Sequence, residues 1–320
     1  IIMGAISIVT SGLLIQLLGL DLDPRIGAVV LLFVSVLILG FGQYSTLDRF
    51  MKIIIVLLSL TTVIALTFAF IEPSIQLDEF KTEFNLSDSA HLLFLVALVG
   101  WMPAPIDISI WHSVWSSSKN KDLGKRISMK TALQDFHLGY WGTTFLAICF
   151  LSLGSLVLYA TGEALADNSV QFSGQLVGIY TSNIGQWAFP FIALAAFTTM
   201  FSTLLTCLDA FPRTLRKSTK LVVSQLSLRI FHRKLYWFWI VLTAVGTSTI
   251  VLYFLSSMRA MVDLATTISF VVAPILASLN FVAMNHVSVP ESGRQPKWLK
   301  IFNLISIGLL SVFSIWFLFY

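Results

Sequence analysis

Long apolar runs separated by short polar or charged segments make up most of the chain. A helix that crosses a hydrocarbon core about 30 Å thick needs about 20 apolar residues. Nine runs meet that length: Ile1–Leu20, Arg25–Tyr44, Met51–Ile71, His91–Trp115, Phe136–Ala160, Gln186–Asp209, Tyr236–Leu255, Ala260–His286 and Trp298–Tyr320. A buried helix of a soluble protein rarely reaches this length. The pattern predicts an all-α membrane protein with nine transmembrane helices.

Composition agrees. Of the 320 residues, 57% are hydrophobic and 11% are charged, against roughly 25% charged in a soluble domain. So few charges cannot make a surface solvated by water, so the lipid bilayer is the expected solvent and partner.

The loops set the orientation. Arg25 lies between the first two runs, Lys81 in the acidic segment after the third, and Arg259 after the seventh; the loop after the fifth has no base. The alternate loops hold 17 of the 20 Lys and Arg residues, including Lys119, Lys121, Lys125, Arg126 and Lys130, then Arg213, Arg216, Lys217, Lys220, Arg229, Arg233 and Lys234. Cytoplasmic loops carry the excess of bases. The residue 1 side is therefore expected to be cytoplasmic and the residue 320 side outside, in a plasma membrane of the bacterial inner type. The net charge of +4 reports this topology, and no nucleic-acid partner is expected.

Several chemistries find no support. Cys149 and Cys207 both lie in apolar stretches, so neither a disulfide framework nor a paired-Cys metal site is expected. His91, His112, His137, His232 and His286 are scattered and form no HExxH pattern. No GxxxxGK[ST] segment is present, so transport would draw on an ion or proton gradient. An intramembrane enzyme would need a convergent nucleophile or metal set, and His112 and Asp107, five residues apart, share a helix face poorly. The chain is expected not to be an enzyme and to need no cofactor. Ile1 follows no basic n-region or cleavage signal and reads as an internal start.

The fourth run carries the sharpest local signal. It reads HLLFLVALVGWMPAPIDISIWHSVW, with Pro103 and Pro105 in its middle. Proline lacks an N–H and its ring clashes with the carbonyl four residues back. It also pushes the preceding residue out of the α region. Two prolines at this spacing predict two half-helices, each about 10–12 residues or about 15–18 Å long, meeting near the midplane. Irregular backbone at that depth is tolerated where it lines a cavity, and discontinuous helices form many transporter sites.

The break names its own ligands. Pro103 cannot donate to the carbonyl of Val99, nor Pro105 to that of Trp101. Both oxygens lie at the negative end of the first half-helix and favour a cation. Met102 adds a soft thioether, which suits transition metals, whereas carbonyls and carboxylates suit magnesium and calcium. Asp107 follows in the second half-helix, and an ionisable group at membrane depth is costly and usually functional. The competing reading of Met102 is packing, and that of Asp107 is a helix-terminal acid. Asp209 and Asp263 read as interfacial acids, paired with Arg213 and Arg259 at four-residue spacing. Thr266, Thr267, Ser269 and Asn280 in the eighth run are placed to hydrogen-bond neighbouring helices.

A broken helix carrying Met-Pro, followed by a strongly basic loop, resembles the Nramp family of divalent-metal transporters. The family hallmark is Met-Pro-His preceded by a small residue whose carbonyl binds metal. Met102 and Pro103 match it, and Val99 falls at the carbonyl position. The second and third runs, with FGQYSTLDRFMKII between them, also resemble the family's fourth and fifth helices. Ala104 stands where the family has His, and Pro105 and Asp107 replace residues that are usually neutral and not proline. These departures resemble the Nramp-related branch associated with magnesium transport.

The resemblance implies a LeuT-type bundle of two inverted five-helix repeats. Residues 1–71 would be the last three helices of the first repeat, 91–286 the complete second repeat opening with the broken helix, and 298–320 an additional helix. Two helices of the first repeat, with the family's metal-binding Asp-Pro-Gly-Asn motif, would precede Ile1. The implied function is a secondary transporter that moves divalent cations (Mn/Fe or Mg) by alternating access, with protons as a candidate coupling ion. Val99 (by its carbonyl), Met102 and Asp107 would meet the metal. A carrier of amino acids or other small organic solutes on the same fold is the alternative.

Overall fold

A computed structural model describes residues 1–41, 44–71, 84–122, 124, 127–158, 165–222, 229–254 and 257–319. The described residues form helices joined by turns. They are α1 (Ile2–Leu18), α2 (Pro24–Phe41), α3 (Tyr44–Ile71), α4 (Ser89–Trp101), α5 (Ile108–Asp122), α6 (Met129–Leu153, continued by a π turn to Leu158), α7 (Ser169–Ile184), α8 (Phe189–Val222), α9 (Arg229–Thr249, continued by a π turn to Phe254), α10 (Met258–Met284) and α11 (Lys297–Phe319). Among the described residues, five helical stretches are long and apolar enough to cross a membrane: Met129–Val157, Gln186–Val222, Lys234–Phe254, Met258–Met284 and Lys297–Phe319. Ile2–Leu18, Pro24–Gly40, Ile55–Ile71 and Ser89–Trp101 are shorter and equally apolar in character.

The chain divides into two interleaved compact units, residues 1–82 with 146–262, and residues 83–145 with 263–320. In the first, α1 is the central element and packs against α2, α7 and α8. Its close neighbours require small residues: a side chain at Gly12 would collide with the backbone of Ser169, and one at Gly27 with the side chain of Ser11. Ser7 and Thr10 are buried, but each donates its hydroxyl to a carbonyl of the preceding turn, Gly4 and Ile6. That satisfies the hydroxyl without water. Leu13, Ala65, Ala69, Val177, Tyr180 and Ile192 fill one core, and Tyr180 and Thr62 share a hydrogen bond of 3.2 Å inside it. Gly19, at φ 62°, ends α1 in the left-handed conformation that a residue without Cβ adopts at least cost.

The segment between the fifth and sixth apolar runs is not the plain loop its polarity implied. It contains α7, which starts at an Asn168 side chain accepting from the N–H groups of Val170 and Gln171. Sixteen residues are too few to span the bilayer, and α7 buries its Ser173, Val177 and Tyr180 against the first unit's core. α8 likewise runs past Asp209 to Val222, so half of the basic segment is a direct extension of that helix.

The second unit holds α4, α5, most of α6, most of α10, and α11. Leu92 and Val96 of α4 pack on Phe270 of α10, and Phe313 and Phe317 of α11 close over them. The Phe270 ring meets Phe313 edge-on at 4.9 Å between centroids, a favoured aromatic geometry.

Candidate functional site

The helical break stands where the two prolines place it. α4 begins at Asp88, whose carboxylate accepts from the N–H of Ala90, and runs thirteen residues to Trp101. Met102 is extended, and its N–H makes the last bond, to the carbonyl of Leu98 at 2.8 Å. Pro103 is next in line for Val99 and has no N–H to give. Residues 102–107 form the linker. The chain re-enters a helix when Ile108, Ser109 and Ile110 donate to the carbonyls of Pro105, Ile106 and Asp107. The bond between Met102 and Pro103 is cis.

Val99, Met102, Pro103, Pro105 and Asp107 thus share the last turn of α4 and one short linker. Val99 and Met102 are both partly exposed, at 42% and 37%. Asp107 sits at the start of α5, where the positive helix end favours a carboxylate. Its Oδ1 is buried and has no hydrogen-bond partner among the described residues. A carboxylate oxygen in that position is costly unless something positive or protic meets it.

Two tertiary bonds hold the break against α10, one on each side. Trp101 donates its indole N–H to Ser269 at 3.0 Å. Beyond the linker, Asn280 donates to the hydroxyl of Ser109 at 2.7 Å, while that hydroxyl donates to the carbonyl of Ile106. Gly100 makes the close approach possible: a Cβ there would lie 2.5 Å from the Thr266 carbonyl oxygen and 3.3 Å from Phe270. The hydroxyl and amide groups of the eighth run therefore do bridge to a neighbour at Ser269 and Asn280. The roles of Gly100 and Trp101 were not legible, because neither residue type announces its partner.

Asp209 lies in the other unit and does pair with Arg213, whose Nε is 2.7 Å from both carboxylate oxygens. Tyr236 of α9 adds a third bond, its hydroxyl donating to Oδ1 at 2.5 Å. Among the described residues no three His, Cys, Asp or Glu side chains gather as a metal-binding group. Both cysteines are buried free thiols.

The comparisons with known proteins bear on the whole chain. The family model described as natural resistance-associated macrophage protein-like matches residues 2–320. An uncharacterised protein of Pasteurella multocida (strain Pm70) is 32% identical over 317 residues, covering 98% of this chain and 71% of that protein. No solved structure matches. A family match of this extent, over an all-helical chain with a proline-broken apolar helix, leads to one conclusion: the chain belongs to the Nramp family, LeuT-fold membrane proteins that transport metal ions.

Proposed function

We propose that the protein is a secondary transporter of divalent cations, Mn/Fe or Mg, working by alternating access around the α4–α5 break. The observation that carries this reading is the buried Asp107 Oδ1, without a hydrogen-bond partner among the described residues, in the same linker as the partly exposed Met102. A divalent cation would satisfy the carboxylate and draw on the carbonyl end of α4 at Val99, where the helix carries partial negative charge. The set mixes one soft donor with hard oxygens. Softer metals gain from the thioether, and magnesium relies on oxygen alone.

Asp107 is also the acid of the linker, and with Ala104 in place of the family His it is the group best placed to release a proton to water as the cation binds and to take one up as it leaves. Nine spans, with residue 1 at the cytoplasmic face of a bacterial plasma membrane, complete the proposal. In it, residues 91–286 form the second repeat, and 298–320 an additional helix. The alternation of bases between loops supports the orientation.

Isothermal titration of the complete, detergent-solubilised protein with Mn²⁺ and with Mg²⁺, for wild type and Met102→Ala, tests the site. Mn²⁺ binding that weakens more than Mg²⁺ binding in the variant supports thioether-assisted metal transport. Equal Mg²⁺ binding in both assigns Met102 to packing and the protein to magnesium. If neither ion binds, the metal reading fails and a carrier of organic solutes replaces it.

A further inference from the structure

The last turn of α4 is tied to α10 more firmly than its ending requires. Pro103 and Pro105 are enough to stop the helix. Yet the Trp101 indole N–H also donates to the Ser269 hydroxyl at 3.0 Å in partly buried surroundings. Next to it, Gly100 brings the backbones together, since a Cβ there would lie 2.5 Å from the Thr266 carbonyl oxygen. One and two turns back, Val96 and Leu92 pack on the buried Phe270. Beyond the linker, Asn280 donates to Ser109 at 2.7 Å, and the Ser109 hydroxyl donates to the Ile106 carbonyl. The linker is therefore held to α10 at both ends, and all these residues lie in one compact unit.

What the tie restrains is a set of carbonyl oxygens. Helix ends fray, and Val99 and Trp101 lack the ladder bonds that would steady their carbonyls, because Pro103 and Pro105 have no N–H. Gly100 and Trp101 share a turn with Val99, so anchoring them stops that turn from tilting or spreading. Spacing of oxygens is what separates divalent cations. Magnesium needs near-ideal geometry at about 2.0–2.1 Å, whereas calcium takes more oxygens at about 2.3–2.6 Å in flexible arrangements. A turn that cannot spread keeps the shorter distances, and a loosened one relaxes toward the longer. We propose that Trp101 and Ser269 are positioning residues that set the size selectivity of the cation site, favouring ions of manganese or magnesium size over calcium. Neither side chain meets the ion; their hydrogen bond acts through the carbonyl end of α4, in the way that a supporting shell preorganises a binding site. The inference rests on the divalent-cation reading of the break.

Titration calorimetry of the complete, detergent-solubilised protein with Mn²⁺, Mg²⁺ and Ca²⁺ tests this. The wild type is expected to bind Mn²⁺ or Mg²⁺ more tightly than Ca²⁺. Trp101→Phe keeps an aromatic ring and removes the N–H, and Ser269→Ala removes the acceptor. Each should narrow the preference over Ca²⁺ by about threefold, the equivalent of one interhelical hydrogen bond of about 0.6 kcal/mol. The double variant should narrow it no further than either single change. Ser278→Ala is the control, because that α10 hydroxyl donates within its own helix, to the Pro274 carbonyl; its preference should stay that of the wild type. Equal weakening of all three ions in Trp101→Phe and Ser269→Ala overturns the proposal, as does an additive effect in the double variant. A wild type that binds none of the ions removes the divalent-cation reading and this inference together. One that binds Mn²⁺ or Mg²⁺ without preference over Ca²⁺ leaves that reading standing and refutes this inference alone, whether or not the variants fold.

Discussion

Gly100→Ala puts a methyl group between α4 and α10. Its Cβ would stand 2.5 Å from the Thr266 carbonyl oxygen, where ordinary contact begins at 3.4 Å. The two helices must therefore separate by about 0.9 Å at this point, or α4 must rotate. The obstacle is backbone, which cannot swing aside as a flexible side chain does. Overpacking of this kind costs about 1–3 kcal/mol. A separation of that size also takes the Trp101–Ser269 bond, now 3.0 Å, past hydrogen-bonding distance, and such interhelical bonds contribute about 0.6 kcal/mol on average. Against this, alanine favours a helix over glycine by about 1 kcal/mol. The net expectation is a loss of about 1–2 kcal/mol.

Gly139→Ala is the control. Gly139 lies within α6, and a Cβ there meets nothing within 4 Å, so only the propensity gain of up to about 1 kcal/mol applies. Denaturant unfolding of both variants in detergent micelles separates the steric from the intrinsic contribution. Metal uptake into proteoliposomes reports whether the break has moved. If Gly100→Ala proves as stable as Gly139→Ala, α4 and α10 do not pack as described and the placement of the break beside Ser269 and Asn280 is wrong.

Asp107→Asn should weaken binding of Mn²⁺ and Mg²⁺ alike by about ten- to hundredfold, the worth of a charged ligand of about 1.5–3 kcal/mol, as read by titration calorimetry; undiminished affinity would leave Asp107 as a helix-terminal acid that does not meet the metal. A double-mutant cycle of Ser109→Ala and Asn280→Ala should give a coupling of about 0.6 kcal/mol in unfolding experiments, and zero coupling would remove the second anchor of the break. Tyr236→Phe deletes a hydrogen bond to Asp209 and should cost about 1–2 kcal/mol; an unchanged unfolding free energy would show that this bond adds nothing to the hold on Asp209. In the turn before α2, hydrogen bonds from Arg25 hold the Asp23 carboxyl below its ordinary range. Its contribution is therefore present at neutral pH and lost on acidification. Because the pair is solvent-exposed and such pairs contribute little, the pH dependence of unfolding should be nearly the same in Asp23→Asn, and a large difference would contradict it.

Local rules made the break readable. A proline's missing N–H and its clash with the preceding turn act within five residues, so Pro103 and Pro105 announce the interruption wherever the rest of the chain lies. The Asp209–Arg213 pair is legible for the same reason, since four-residue spacing on a helix brings side chains together without tertiary help. α7 was less accessible. Its Asn168 cap and the Gly185 that ends it are helix signals, but at sixteen residues it is too short for the length rule that finds spans. Only burial against α1 and α3 shows why a polar segment folds there.

By itself the sequence determined the solvent, the class and the interruption: apolar length and scarce charge require lipid, and two prolines require a break. What surrounds the break was decided by the tertiary structure. Ser269 and Asn280 lie more than 160 residues from Trp101 and Ser109, and nothing in their spacing identifies a partner. The same holds for Gly100, whose missing side chain acquires meaning only from the carbonyl of Thr266 against it. Periodicity and propensity are short-range quantities, whereas a buried hydrogen bond or a steric contact is a property of two distant segments once they pack.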